Sequence, residues 1–447
     1  MNARVSTDPA GSALLDSAQP DRVQPDRALL DRPLLDQTLL ERALLERTKA
    51  ILADLVAFPS VSGLPNDPIV SYVERYLADH GIATVRDTHP DGQRANVFAT
   101  IGPEVDGGTI LCGHMDVVPA DPSGWTTDPF TLTERDGRLF GRGAVDMKGF
   151  LAISLAMVPE MVAADLAAPI HLAFTFDEET ASFGAAQFRD FLRVLPNRPA
   201  TCIVGEPTCM IPYIGHKGGM ELLTRFEGLA GHASIPANGL NTIYFAARLV
   251  DFLRRKADAL AAAPVADTMY DPPYTTINVG RISGGEAGNI IPDTCDVEWE
   301  IRPLPEDDGI ALLDEIKAFI TSELLPEMQA HVPDANVRFI KEHVFPGMAI
   351  DPDARALKLV RSFWQTPPAD VVSFGTDACY IQETGISTLV IGAGDISTAH
   401  LPDEYIETSA LETGLAFIAG LIEHHAKSQA TPAQTDVTHD VHQRDAV

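Results

Sequence analysis

At 447 residues the chain is too long for one average domain, and at roughly 150 residues per unit it has material for about three, or for two of unequal size. Hydrophobic residues make up 45% and charged residues 21%, a globular balance with ample apolar material for a core and unlike that of a fibre, a disulfide scaffold or a membrane protein. Lys+Arg 33 against Asp+Glu 63 gives a net charge of −30, which argues against nucleic acid and anionic membrane as partners because both require a basic face.

The amino-terminal segment repeats Leu-Leu pairs at 14/15, 29/30, 34/35, 39/40 and 44/45. A five-residue step fits neither the helical period nor the heptad, so these leucines spiral around a helix instead of lining one stripe. Pro20, Pro25 and Pro33 interrupt the segment further, and residues 1–41 read as a weakly ordered, partly helical extension. From about Arg42 an amphipathic helix is predicted through ERTKAILADLVAF to Pro59. Beyond it, the runs ANVFATI, GTILCGH, IHLAFTF, TCIVG and ISTLVIG read as buried strands, and FLAISLAMVPEMVA and GAAQFRDFLRVL as helices between them. Alternation of this kind predicts an α/β sheet covered by helices on its faces.

Near Tyr213 the pattern changes. Strand GGMELLTRFEG, helix TIYFAARLVDFLRRKADAL, strands TTINVGRIS and CDVEWEIRP, helix GIALLDEIKAFITSEL and strand NVRFIKEHV follow one another. That β-α-β-β-α-β order is the ferredoxin-like pattern. It predicts a domain at 213–344 inserted into a larger α/β domain made of 42–212 and 345–425. Residues 426–447 have almost no apolar content and are expected to be disordered. The five cysteines (Cys112, Cys202, Cys209, Cys295, Cys379) are scattered and include no CxxC pair, which suits buried reduced thiols. The amino terminus lacks the apolar core of a secretory signal, and the longest apolar stretch, 150–159, is too short to span a bilayer, so a cytoplasmic address is expected.

The chemistry sits where the strands end. GTILCGH runs into His114 and then Asp116, IHLAFTFD into Glu178 and Glu179, TCIVG into Glu206, and ISTLVIG, after a short loop, into His400. Asp146 lies in the Gly-rich turn GRGAVDMKG just before a helix. Ligands of open α/β sheets bind beyond the carboxyl ends of the strands, so these groups are expected at one edge of one sheet. Taken singly each has a bland explanation: Asp146 as a helix cap, His114 as a satisfied core histidine, Glu178 and Glu179 in the first turn of a helix, Glu206 in a loop. Together, so many acids in one crevice would repel unless cations compensated them, and a pair of divalent metals is the economical solution. Two imidazoles among carboxylates with no thiolate suit Zn²⁺, with Co²⁺ or Mn²⁺ possible on the same grounds. In two-metal hydrolases a shared carboxylate holds ions ~3.5–4 Å apart with a bridging water between them, and a carboxylate that is not a ligand can take that water's proton. No GxSxG, HExxH, P-loop or GxGxxG motif occurs, which favours a metal-activated water over a serine or cysteine nucleophile.

The segments GHMDVVP, GRGAVDMKGF, FDEE, GEPT and FGTDA…GAGDISTAHLPDEY, in that order, resemble the two-zinc amidohydrolase and peptidase family that includes acetylornithine deacetylase, succinyl-diaminopimelate desuccinylase, aminoacylase and carboxypeptidase G. The resemblance covers about residues 45–425. It implies a zinc-peptidase-like α/β catalytic domain with an inserted ferredoxin-like lid and dimerisation domain, and two Zn²⁺ per subunit (Co²⁺ possible). Asp146 would bridge the ions, His114 and Glu206 would hold one, and Glu179 and His400 the other. Asp116 would orient the His114 imidazole, and Glu178 would be the general base and then the acid. In the inserted domain, His232 of LAGHASIPANG would reach across a homodimer interface to steady the oxyanion. Asn289 of GGEAGNIIP and Arg302 of WEIRP would contact substrate, the latter through its bidentate fork. DMKGF, GEPT…GHKG, EIRPLP, FGTDA and AHLPDEY are most similar to the acetylornithine deacetylases of the family, which implies hydrolysis of a small N-acyl amino acid, N2-acetyl-L-ornithine, by a metal-bridging hydroxide in arginine biosynthesis. Another N-acyl amino acid, succinyl-diaminopimelate or a peptide is the nearest alternative, and a non-catalytic dimeric binding protein a remote one. Met115, Val145 and the stretch TASFG after Glu179 depart from the family's commoner pattern; none is a proposed ligand, so they bear on the substrate more than on the chemistry.

Overall fold

The computed structural model describes residues 32–180 and 182–427, so the expectations for residues 1–31 and 428–447 lie outside the described residues. A helix spans Arg32–Val56. It starts ten residues before Arg42, inside the Leu-Leu repeat. Pro33 stands in its first turn, where a missing N–H costs nothing, and Leu, Glu, Gln, Arg and Ala dominate the rest, all strong helix formers. Propensity therefore carries the helix through a segment whose leucines keep no common stripe. From Leu44 onward the spacing does become amphipathic, and Ile51, Leu52, Leu55 and Val56 are buried.

The strands in chain order begin with β1 (Thr84–Thr88), β2 (Ala95–Ile101) and β3 (Thr109–His114). A short pair follows, β4 (Thr133–Arg135) and β5 (Arg138–Phe140), then β6 (Ile170–Thr175), β7 (Thr201–Val204) and β8 (Tyr213–His216). The inserted region contributes β9 (Gly219–Glu227), β10 (Gly231–His232), β11 (Thr276–Gly284), β12 (Ile290–Ile291), β13 (Thr294–Arg302) and β14 (Asn336–Phe345). The chain ends with β15 (Asp370–Val372), β16 (Ser387–Val390) and β17 (Tyr405–Glu407).

Eight strands form one sheet in the order β1-β2-β6-β3-β7-β16-β8-β15. Its centre, β6, β3, β7 and β16, is parallel throughout. Every residue of β3, β6 and β7 is buried, which is why these strands read as unbroken apolar runs without alternation. Alternate side chains still go to opposite faces. Leu111, Leu172, Ile203 and Leu389 enter one core with the helices Gly149–Ala156, Arg355–Phe363 and Thr408–Lys427. Ile110, Cys112, Ala173, Cys202, Val204 and Val390 enter another with the helices Phe183–Arg193 and Ala378–Gln382. Since the four central strands run the same way, their carboxyl ends all open on one edge, where ligand crevices form in such sheets.

The inserted domain has its own antiparallel sheet, β11-β13-β9-β14, and its own core under the helices Thr242–Ala261 and Gly309–Phe319. With strands taken in chain order, this is the ferredoxin-like arrangement that the element order predicted. Burial alternates along β9 and β13, so one face packs on the helices. The other carries ion pairs, among them Arg225–Asp296 at 2.6 Å and Arg281–Glu298 at 2.9 Å. Cys112, Cys202, Cys295 and Cys379 are buried free thiols as expected, whereas Cys209 is exposed in a loop. Among the described residues no helix is long and apolar enough to cross a membrane.

Candidate active site

β3 delivers His114 to the sheet edge almost wholly buried. Its Nδ1 lies 2.9 Å from the backbone carbonyl of Asp116, and a carbonyl can only accept. Nδ1 therefore carries the proton, and Nε2, 3.1 Å from Asp146 Oδ1, is the nitrogen turned toward the acids. The Asp116 carboxylate stands beside the same nitrogen, its nearer oxygen 3.5 Å from Nδ1, and has further partners. It accepts the Ser62 hydroxyl at 2.6 Å and the backbone N–H groups of Glu178 and Glu179 at 3.1 and 3.2 Å. Asp116 thus faces the imidazole with its carbonyl and its carboxylate, and with the carboxylate it also fixes the turn bearing both glutamates.

Asp146 is buried and reaches both histidines, with Oδ2 3.1 Å from His400 Nε2. His400 Nε2 is also 2.9 Å from Glu179 Oε2. Two groups of ligating atoms result, each within 4.8 Å: His114, Asp146 and Glu206, and Asp146, Glu179 and His400. Asp146 belongs to both. Glu178 belongs to neither, yet lines the same cavity of about 280 Å³ with Asp146, Glu179, Glu206, His400, Phe374 and Gly375.

The electrostatics follow from crowding acids in a low-dielectric crevice. Burial, with neighbouring carboxylates added, pushes Glu178 and Glu206 well above the usual carboxylate range and raises Glu179 as well. Burial would raise Asp146 too, but hydrogen bonds from His114 and His400 outweigh it and hold its carboxyl low. Hydrogen bonds to Asp146 and Glu179 lift His400 to about 10. For His114 burial alone would depress the ring, and Asp116 and Asp146 outweigh it so that it rises. The crevice attracts positive charge strongly, and the pull a proton feels on these imidazoles is the pull a divalent cation would feel. Two imidazoles and three carboxylates with no thiolate, in two groups sharing one carboxylate, fit a pair of Zn²⁺-type ions.

The structure does not bring the other three expected residues into this cavity. His232, in the exposed two-residue strand β10, pairs with Ile290 of β12, and the backbone N–H of Ala233 donates to the Asn289 carbonyl at 3.0 Å. His232 and Asn289 are therefore neighbours of each other on the inserted domain. Arg302 ends β13 half-buried, 3.0 Å from Glu300. Sequence reasoning also passed over residues that sit at or beneath the site. Asp377 is buried, accepts the Thr175 hydroxyl at 2.5 Å through Oδ2, and is pushed up to about 6 by burial. Arg142 and Glu404 form a buried pair at 2.6 Å. Asp377 and Glu404 stand inside the motifs FGTDA and AHLPDEY, but nothing in a loop's composition separates a buried carboxylate from a solvated one.

A mixed α/β sheet whose parallel centre gathers at its edge two metal-ligating groups around a common carboxylate, with a free glutamate on the same cavity, has the build of a metal-dependent hydrolase. The profile of Peptidase family M20/M25/M40 matches residues 110–424, and the chain belongs to that family. Over 377 residues it is 34% identical to an acetylornithine deacetylase of Pectobacterium atrosepticum, covering 83% of this chain and 95% of the relative. An acetylornithine deacetylase of Salmonella typhimurium matches to the same extent. Among solved structures, the M20 family metallo-carboxypeptidase Sso-CP2 of Sulfolobus solfataricus superposes with a TM-score of 0.68 at 17% identity, covering 85% of this chain and 99% of that one. The YXEP protein of Bacillus subtilis, described as a dinuclear metal-binding peptidase of the M20 family, does so with 0.57 at 18% identity, covering 85% and 98%. At these identities the structural likenesses speak for the fold.

Proposed function

We propose that this enzyme hydrolyses the amide of N2-acetyl-L-ornithine to ornithine and acetate, as a cytoplasmic step of arginine biosynthesis. The observation that carries the chemistry is Asp146 shared between two ligand groups with Glu178 left free beside them; the acetylornithine deacetylases to which most of the chain is similar support the substrate. His114, Asp146 and Glu206 would hold one ion and Asp146, Glu179 and His400 the other, Zn²⁺ by donor type with Co²⁺ as a substitute. Such a pair, when bound, polarises the acyl carbonyl and acidifies water. Glu178 takes the proton of the attacking water and gives it to the amine as the C–N bond breaks, so one carboxylate serves both steps. A panel of N-acetyl, N-succinyl and N-formyl amino acids and dipeptides, with Zn²⁺ or Co²⁺ supplied, tests the reading: the highest kcat/KM is expected on N2-acetyl-L-ornithine. Preference for succinyl-diaminopimelate or a dipeptide would overturn the substrate and leave the chemistry standing.

The inserted domain completes the site in this reading through a homodimer. Leu229, Ile235, Tyr244, Ile282 and Ile290 are exposed apolar side chains of that domain, the kind of surface a second copy covers. His232 would then steady the oxyanion of the facing subunit, and Asn289 and Arg302 would grip substrate. Mixing inactive His232→Ala chains with inactive Glu178→Gln chains is expected to restore about one quarter of wild-type activity, since half the dimers are mixed and each has one complete site. No recovery after verified subunit exchange would rule out an imidazole supplied across the interface.

A further inference from the structure

We propose that the buried Arg142–Glu404 pair is a positioning strut for one ligand group, that of Asp146, Glu179 and His400, and that it sets the affinity of the ion held there. The proposal rests on the two-ion reading above and adds residues that reading does not use.

The members of the two groups are mounted differently. His114 ends β3 opposite Thr175 of β6, and Glu206 follows β7 by two residues, so the hydrogen-bonded sheet places both. Glu179 hangs from the turn fixed by Asp116. Asp146 and His400 stand on irregular backbone: Asp146 in the turn after β5, and His400 at φ +62, a left-handed conformation that a β-carbon disfavours and that persists only where surroundings hold it.

The strut joins those two segments. Glu404 and Arg142 are both almost completely buried and meet Oε2 to Nη1 at 2.6 Å. The other carboxylate oxygen, Oε1, accepts the backbone N–H groups of Val145 and Asp146 at 3.1 and 3.2 Å. Arg142 Nη2 reaches toward the carbonyls of His400 at 3.4 Å and Pro119 at 3.5 Å, and Nη1 toward that of Leu401 at 3.5 Å. The Trp125 ring lies 5.3 Å from the guanidinium carbon. A buried ion pair is weak evidence for stability on its own, because desolvation offsets much of its attraction. What distinguishes this one is its aim: one end holds the amide of Asp146, the other the carbonyl of His400.

Glu404 uses both oxygens, one for the cation and one for the two amides. Glu404→Gln keeps the shape but has a single acceptor oxygen, so it can satisfy Arg142 or the amides and never both. Arg142→Lys keeps the charge and loses the fork that spans several carbonyls. Metal-depleted wild type, Glu404→Gln and Arg142→Lys would be titrated with Zn²⁺ by calorimetry and with Co²⁺ by visible absorption. Wild type is expected to take two ions. Each variant is expected to weaken the ion of Asp146, Glu179 and His400 about 10–100-fold, the range for disturbing the support of a metal ligand, and the other ion distinctly less, since that group shares only Asp146 with the strut. A purely structural pair would weaken both ions equally, in step with the melting temperature, or neither, and either result overturns the strut. If Glu404→Gln does not fold, Arg142→Lys decides. If wild type itself binds fewer than two ions, the two-ion reading has failed and the strut falls with it, an outcome visible before any variant is compared.

Discussion

Glu178→Gln is expected to lower kcat roughly 10²–10⁴-fold while both ions remain bound, the range for removing a general acid-base group. The carboxamide has nearly the size of the carboxylate and cannot accept a proton. Glu178 belongs to neither ligand group, and its backbone N–H, bonded to Asp116 at 3.1 Å, keeps its partner in the variant. The turn should stay in place, Glu179 with it, and KM should move little because the lost interaction belongs to proton transfer. The burial and neighbouring acids that raise the Glu178 carboxyl also suit it to hold a proton between the two halves of the reaction. Turnover would be followed by released amine, and metal content by elemental analysis of the same samples. Near-wild-type turnover with both ions present would remove Glu178 from the mechanism.

The strand-borne part of this site is legible in the sequence, for a physical reason. A central parallel strand is buried on both faces, so it reads as a continuous apolar run, and a charged residue at its end marks where the chain leaves the sheet. His114, Glu178, Glu179 and Glu206 are all of that kind. The inserted domain was readable because its strands alternate and its helices are long, although the sheet order β11-β13-β9-β14 depends on pairings that no local pattern carries. Two kinds of detail stayed hidden. Whether Asp116 meets His114 through its side chain or its carbonyl is a matter of rotamer and turn, and the structure has the carbonyl nearer. Arg142 and Glu404 lie 262 positions apart, and neither residue announces burial. The helix Thr408–Lys427 is a different case: Leu411, Leu415, Ile418 and Ile422 recur at helical spacing, so its signal was present and unassigned.

Asp146→Asn is expected to weaken both ions together, each by more than about 100-fold, beyond what disturbing a supporting residue does. Asp146 offers one oxygen to His114 and the other to His400, so it is the one side chain common to both groups. The asparagine keeps a single acceptor oxygen and removes the negative charge on which two neighbouring cations would depend. Glu206 and Glu179 cannot replace it, since each belongs to one group alone. Calorimetric titration of the metal-depleted variant should therefore show neither ion at wild-type affinity, in contrast to the unequal loss expected when Glu404 is changed. Loss of a single ion with the other untouched would mean that Asp146 serves one site only.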